Sequence, residues 1–318
     1  MPNPRRIEIL AFDNAQLLDI TGPLQVFASA NIEAAAAGLP QPYDVIAVAE
    51  GEQVRTNSGL CVITRPIATC PEDIDTLVVA GGFGVNAAME RPALIDWIRW
   101  RAQRAQRVTS VCSGAFLLAA AGLLSGRRAA THWGRVEEFR RRFPDVTVEA
   151  DPIYVRDGTL WTSAGVTAGI DLALALVEED VGHAIALGVA RELVVFLKRP
   201  GGQSQFSTEL QLQSADARFA HLNGWITANL RADLSLAALA TRANMSVRSF
   251  ARHYTRATGA TPARAVEILR VAAARRLLEA RAPIGTVARR CGFGSEETMR
   301  RAFQRTIGVA PSDYAARF

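Results

Sequence analysis

From Arg6 onward, short and almost unbroken apolar runs alternate with longer segments whose apolar residues recur at helical spacing. Ile7 to Phe12, Tyr43 to Ala49 and Leu77 to Ala80 are β-rich runs, and Pro23 to Ala37 and Pro92 to Gln106 are predicted helices among them. Strands apolar on both faces, alternating with helices, predict an α/β fold whose mostly parallel, doubly wound sheet is covered on both sides. Gly81-Gly82-Phe83-Gly84 follows one strand, and Val108 to Cys112 runs into a helical stretch from Gly114 to Leu124. Farther on, Ile153-Tyr154-Val155 and Leu160-Trp161-Thr162 flank an Asp-Gly turn and predict a hairpin. Helices around Ala168 to Glu179 and His183 to Leu197 close this part.

The pattern then changes. Pro200-Gly201-Gly202-Gln203-Ser204-Gln205 has no apolar period and reads as a linker. The expected division is a first domain over residues 1–198, a linker over 199–217 and a second domain over 218–318. Ala, Leu and Arg dominate the second domain, which predicts an all-α fold. It contains a repeat. Leu236-Ala237-Ala238-Leu239-Ala240 matches Ile284-Gly285-Thr286-Val287-Ala288 at an offset of 48 residues. After one inserted residue, Phe250, Tyr254, Gly259 and Pro262 match Met299, Phe303, Gly308 and Pro311 at an offset of 49. In each unit a short helix ends near Asn244-Met245 or Gly292-Phe293, and Ser246 or Ser295 N-caps a second helix. Two helices joined by a tight turn make a helix-turn-helix, whose second helix enters the major groove of DNA. A helical solenoid is the alternative, but it ordinarily needs three or more repeats.

Charge sharpens this picture. The 318 residues suffice for two cores, and 49% hydrophobic with 21% charged residues excludes wholesale disorder. Residues 1–200 carry 19 Lys and Arg against 23 Asp and Glu, a balance of −4, whereas residues 201–318 carry 17 against 8, a balance of +9. The asymmetry points to an anionic polymer as the partner of the second part. Lys198 is the sole lysine; an arginine-rich composition accounts for the choice of residue but not for where the charge lies. Cys61, Cys70, Cys112 and Cys291 fit neither a disulfide scaffold nor a metal-ligand spacing, so a reducing cytoplasm, no metal and no cofactor are expected. The uncharged run from Val108 to Ser125 contains Thr109, Ser110, Ser113 and Ser125, and the start of the chain carries Arg5, Arg6 and Glu8. Neither a membrane span nor a signal peptide is expected.

In the second helix of the first repeat, Val247, Phe250 and Tyr254 form an apolar stripe, and Arg248, Ser249 and Arg252 lie away from it. In the second repeat Met299 and Phe303 pack inward, while Glu297, Arg300 and Arg301 point outward. Arginine pairs bidentately with guanine, and glutamate accepts from cytosine N4. Solvated helix charges or phosphate contacts are the alternative. From Asn223 to Phe318 the chain resembles the AraC/XylS-type DNA-binding domain, through "LSLAALATRANMSVRSFARHYTRATGATP" and "RRLLEARAPIGTVARRCGFGSEETMRRAFQRTIGVAPSDY". The resemblance implies two helix-turn-helices on one connecting helix, roughly Pro262 to Ala280. Such a helix is ~28 Å long, near the ~34 Å of one DNA turn.

In the acidic part, Cys112 falls at a turn from strand to helix, where a helix N-terminus lowers a thiol's pKa. Ser113, Gly114 and Ala115 leave room for a ligand. A buried structural cysteine is the alternative. Arg6 to about Leu197 resembles the ThiJ/PfpI branch of the class I glutamine amidotransferase-like superfamily, a flavodoxin-like α/β fold. The matching text is "LLDITGPLQVF", "VVAGGFG", "VCSGAFLLAAAGLLSGRRAATHW" and "LWTSAGVTAGIDLALALV". It is most similar to the isonitrile hydratase subgroup and to GlxA-type regulators, which fuse this domain to an AraC-type tail. By that match Cys112 takes the nucleophile position, Asp19 the acidic position that hydrogen-bonds it, and Ser113 the hydroxyl neighbour. Peptidase-like members carry a histidine directly after the nucleophile; Ser113 stands there instead, which removes the usual proton shuttle. Gly82 and Phe83 are expected to line the same pocket. His132, twenty residues after Cys112, reads as a structural histidine near a strand end, with an approach to the pocket as the alternative.

Three functions fit these residues. The first is a transcription regulator that senses a small, nitrogen-containing metabolite in its first domain and binds double-stranded DNA with its second. The resemblance implies a bacterial, cytoplasmic, nucleoid-associated protein that dimerises through its first domain. The second is an isonitrile hydratase-like enzyme using Cys112 and Asp19; the third is a chaperone or redox sensor built on Cys112. The regulator accounts for both halves and for the charge asymmetry.

Overall fold

The computed structural model describes residues 3–197, 217–307 and 309–315. The chain divides into two compact units, Met1–Arg199 and Pro200–Phe318. The expected linker lies outside the described residues except for Ala217, which is already helical.

The first unit is built on β1 (Arg5–Leu10), β2 (Tyr43–Ala49), β3 (Gln53–Arg55), β4 (Cys61–Ile63), β5 (Arg65–Pro66), β6 (Thr76–Val79), β7 (Arg107–Ser110), β8 (Arg128–Ala129), β9 (Thr147–Val148), β10 (Tyr154–Asp157) and β11 (Leu160–Ser163). Seven of them form one sheet in the order β10-β11-β7-β6-β1-β2-β5. Every pairing in it is parallel except β10 with β11. Ile7, Ile9, Leu77 and Val79 are buried completely, as strands covered on both faces require. The helices are α1 (Leu17–Ala36), α2 (Val85–Met89), α3 (Pro92–Ala102), α4 (Gly114–Ala120), α5 (Val136–Arg142), α6 (Ala168–Val181) and α7 (His183–Glu192). Six of them pack in two groups, α1 with α6 and α7, and α4 with α2 and α3, while α5 packs beside β9.

Two details depart from the sequence reading. The first helix starts at Leu17 rather than Pro23, with Pro23 inside it. Proline removes one backbone bond there, but Ile20, Val26, Phe27 and Ala30 are all buried on this helix and hold it straight through. Asp19 is thereby carried in the first helical turn. The hairpin turn is Gly158-Thr159, since Asp157 still pairs with Leu160, and Gly158 takes the left-handed φ of 65°.

The second unit runs α8 (Ala217–Ala228), α9 (Leu236–Arg242), α10 (Val247–Thr258), α11 (Pro262–Glu279), α12 (Ile284–Arg290), α13 (Glu296–Ile307) and α14 (Pro311–Ala315). The repeat seen in the sequence is a repeat of hydrogen bonds. The Met245 N–H donates to the Ala240 carbonyl at 3.0 Å and the Phe293 N–H to the Ala288 carbonyl at 2.9 Å, each 48 residues apart. Asn244 and Gly292, one residue earlier, both adopt left-handed φ, 53° and 74°, as a helix C-terminus closed by a 6→1 bond demands. Ser246 then accepts from the Ser249 N–H, and Ser295 from the Thr298 N–H. Phe250, Tyr254, Met299 and Phe303 are buried. The long helix α11 serves both repeats: Ala265, Val266, Ile268 and Leu269 join the first core, and Val271, Ala274 and Leu278 the second.

Candidate functional site

Cys112 sits between β7 and α4 with a φ of 56°, a conformation that non-glycine residues rarely adopt. Its surroundings enforce that strain. The Cys112 N–H donates to the Ala164 carbonyl at 3.0 Å, and the Thr131 hydroxyl donates to the Cys112 carbonyl at 3.0 Å. Gly114 opens the helix behind it because a Cβ there would stand 2.2 Å from the Val79 carbonyl oxygen.

Asp19 approaches from α1. Its Oδ2 accepts from the Gly81 N–H at 3.0 Å, its Oδ1 has no hydrogen-bond partner, and the residue is fully buried. Burial pushes the carboxyl up to about 7, against the opposing pull of the Gly81 N–H and the Cys112 thiol. Burial likewise pushes the thiol up to about 12, reinforced by Asp19 and only partly opposed by N–H groups of Val166 and Ser113. This reverses the expectation from the helix N-terminus: desolvation outweighs the dipole, so the group is a thiol at neutral pH.

A pocket of about 430 Å³ opens at this elbow. Of the residues singled out from the sequence, Cys112, Ser113, Gly82 and Phe83 line it, whereas Asp19 lies behind Cys112 and off the wall. The Ser113 hydroxyl is taken up by Gly82, accepting from its N–H at 2.9 Å and donating to its carbonyl at 3.2 Å. Phe83 is 83% exposed. His132 also lines the pocket, the alternative to its reading as a structural histidine. Its Nδ1 accepts from the Gly134 N–H at 3.1 Å, and burial together with Arg135 lowers its pKa, so the ring is neutral.

Gln16, Asn86 and Arg135 complete the polar wall and were not foreseen. Arg135 pairs with Glu138 at 2.8 Å and lies over the Phe116 ring at 4.2 Å. No local pattern marks these residues. Among the described residues, no cluster of three or more His, Cys, Asp or Glu is placed to hold a metal ion.

In the basic unit, Arg248 and Arg252 are exposed on α10 and Ser249 is half-buried beside its Ser246 cap. On α13 Glu297 holds two arginines at once: it accepts from Arg300 at 2.7 Å and 2.9 Å and from Arg301 at 2.8 Å. These bonds hold its carboxyl down at about 2. Both of its oxygens are thus engaged by arginines.

Residues 5–179 match the DJ-1/PfpI family and residues 239–317 match a helix-turn-helix domain. An HTH-type transcriptional regulator of Mycobacterium tuberculosis is 32% identical over 266 residues, covering 78% of this chain and 96% of its own length. The HTH-type transcriptional regulator GlxA of Rhizobium meliloti is 27% identical over 320 residues, 99% of this chain and 97% of that one. Isonitrile hydratase of Pseudomonas putida is 40% identical over 183 residues, 56% of this chain and 72% of the enzyme. That last similarity is confined to a little over half of the chain, whereas both regulators cover more than three quarters of it.

Proposed function

The chain belongs to the DJ-1/PfpI family and is a helix-turn-helix transcription regulator, and from that premise we propose that its first unit senses a small metabolite at the Cys112 pocket. The carrying observation is the pocket itself: about 430 Å³, of a size for a small molecule, lined by neutral and cationic polar groups together with Phe83 and Val166. We take the effector to be nitrogen-containing, by analogy with the isonitrile hydratase. In this reading residues 1–198 form the sensing domain, 199–217 the linker and 218–318 the DNA-binding domain. The protein works as a nucleoid-associated homodimer joined through its first domain. The 18-residue connecting helix α11 is ~27 Å long, which supports insertion of α10 and α13 into successive major grooves on one face of the duplex.

The test has two arms. Full-length protein is screened by thermal shift against amines, amino acids and their derivatives, because a ligand of the folded state raises the melting temperature by mass action. Hits are carried into footprinting with methylation interference, with Arg252→Ala and Arg301→Ala alongside. Two protected patches about 10 base pairs apart and a footprint changed by the ligand are expected. A single protected groove with Arg301→Ala silent sinks the double-groove reading, and a footprint indifferent to every bound ligand sinks the sensor reading. The enzyme reading gains ground only if an isonitrile is turned over faster than ~1 s⁻¹ and Asp19→Ala abolishes it.

A further inference from the structure

Around the Cys112 pocket, the acceptor ends of Gln16, Asn86 and His132 each already accept from a protein donor. Gln16 Oε1 accepts from Asn57 Nδ2; Asn57 is fixed in that orientation because its own Oδ1 accepts from the Leu17 N–H at 3.3 Å. Asn86 Oδ1 accepts from Arg135 Nη2 at 3.1 Å and from Arg142 Nη1 at 3.0 Å. His132 Nδ1 accepts from the Gly134 N–H, so the neutral imidazole carries its proton on Nε2. What these groups keep for a ligand are donors: the amide nitrogens of Gln16 and Asn86, the imidazole Nε2–H, and Nη1 of Arg135, whose other nitrogens serve Glu138 and Asn86. Among the described residues no Asp or Glu lines the pocket and Arg135 is its one cationic lining residue, with Glu138 paired to its Nε and Nη2.

We infer that this pocket takes an organic carboxylate, with Arg135 as its counter-charge and the amides of Gln16 and Asn86 and the ring of His132 as neutral donors. The inference rests on the pocket being the effector site. A buried donor without an acceptor costs the full desolvation of that group, so a ligand rich in acceptors is selected and one rich in donors is rejected. An ammonium group would face the like charge of Arg135, with the acceptor ends of Gln16, Asn86 and His132 already holding protein donors. A neutral amide would fill some donors but set its own NH2 against the rest. One guanidinium also matches the single charge of a carboxylate better than the nearly double charge of a phosphate.

Cys112 in the wall is a reporter. Full-length protein is alkylated in parallel with iodoacetate and iodoacetamide, which are nearly isosteric. In each case the sulfur forms a bond to the CH2 carbon and iodide leaves. The ratio of the two rates at Cys112 is read by peptide mass spectrometry, with the same thiol in urea-unfolded chain as reference. Folding should raise the iodoacetate to iodoacetamide ratio about tenfold, as focusing by a single cation in a cleft predicts. Arg135→Gln should return it towards the unfolded value, and Asn86→Leu, at an exposed position that tolerates change, should lower it by a smaller factor. A folded ratio at or below the unfolded one, or a ratio that neither variant moves, overturns the inference. Inorganic phosphate should leave the iodoacetamide rate unchanged; protection by it overturns the choice of carboxylate over phosphate. The ratio reads the pocket alone. Carboxylate preference with a DNA footprint indifferent to every carboxylate would sink the sensor reading and leave this inference standing, whereas a footprint moved only by amines would do the reverse.

Discussion

A Cβ on Gly292 would stand 2.0 Å from the carbonyl oxygen of Leu230. The same oxygen accepts from the Arg270 guanidinium at 3.0 Å. The turn of the second repeat is therefore pressed onto the end of α8 and tied to α11. Gly292 is needed twice, for its φ of 74° and for the absence of a side chain. Its counterpart Asn244 has the same backbone sense without that crowding. Gly292→Ala should destabilise the basic unit by roughly 2–4 kcal/mol, whereas Asn244→Gly should stay within about 1 kcal/mol. Hydrogen exchange of the α12 and α13 amides in the full chain reads this directly. Equal protection in wild type and Gly292→Ala would show that the turn relaxes freely.

Glu297 accepts from Arg300 through both oxygens and from Arg301 through Oε1, which orients both guanidiniums from one helix face. Glu297→Ala adds one unit of positive charge and frees both arginines. Affinity for random DNA should rise with a salt slope steeper by about one, while the preference for a selected site should fall about tenfold. Competition binding at several salt concentrations separates the two effects. An unchanged site preference would mean that Glu297 has no part in positioning Arg301.

Asp19 links stability to pH. Its folded pKa, about 7, lies above the unfolded value of 3.8, so the fold accommodates the neutral carboxyl. As pH rises from about 4 to about 7, the unfolded chain ionises first and stability is lost, on the order of 4 kcal/mol over the window. Above it the loss is constant. Asp19→Asn, which keeps an acceptor for Gly81, should match wild type near pH 4 and exceed it at pH 8. Melting temperatures across that range test the sign, and parallel profiles would show that the carboxyl is already ionised in the folded state.

Cys112 carries a thiol pushed up to about 12, so only about one molecule in 10⁵ holds a thiolate at pH 7. Peptidase activity should be absent, consistent with a Ser113 hydroxyl engaged by Gly82. Iodoacetamide should label native Cys112 about a thousandfold more slowly than the unfolded chain. Cys112→Ser should leave the affinity for DNA without ligand within about threefold, roughly 0.7 kcal/mol, and blunt the response to ligand. A properly folded Cys112→Ser protein that no longer binds DNA would join the two roles that are separated here.

The sequence by itself determined what depends on short-range pattern. Apolar runs of four to seven residues between helical segments specified a parallel sheet, because strands covered on both faces have no polar side to show. The helix-turn-helix repeat was legible because left-handed turn residues, Ser caps and buried aromatics recur at a set spacing, and each acts within a few residues of itself. The elbow at Cys112 was legible for the same reason. Only the tertiary structure decided the chemistry there. Whether a helix N-terminus or burial controls the thiol depends on how much water the neighbouring strands exclude, and burial won. Pro23 lies within a helix whose buried face outweighs one lost backbone bond. The polar wall draws Gln16, Asn86 and the His132–Arg135 turn from three separate segments. Their donor-only character follows from which end of each side chain its neighbours occupy, and no spacing along the chain encodes that.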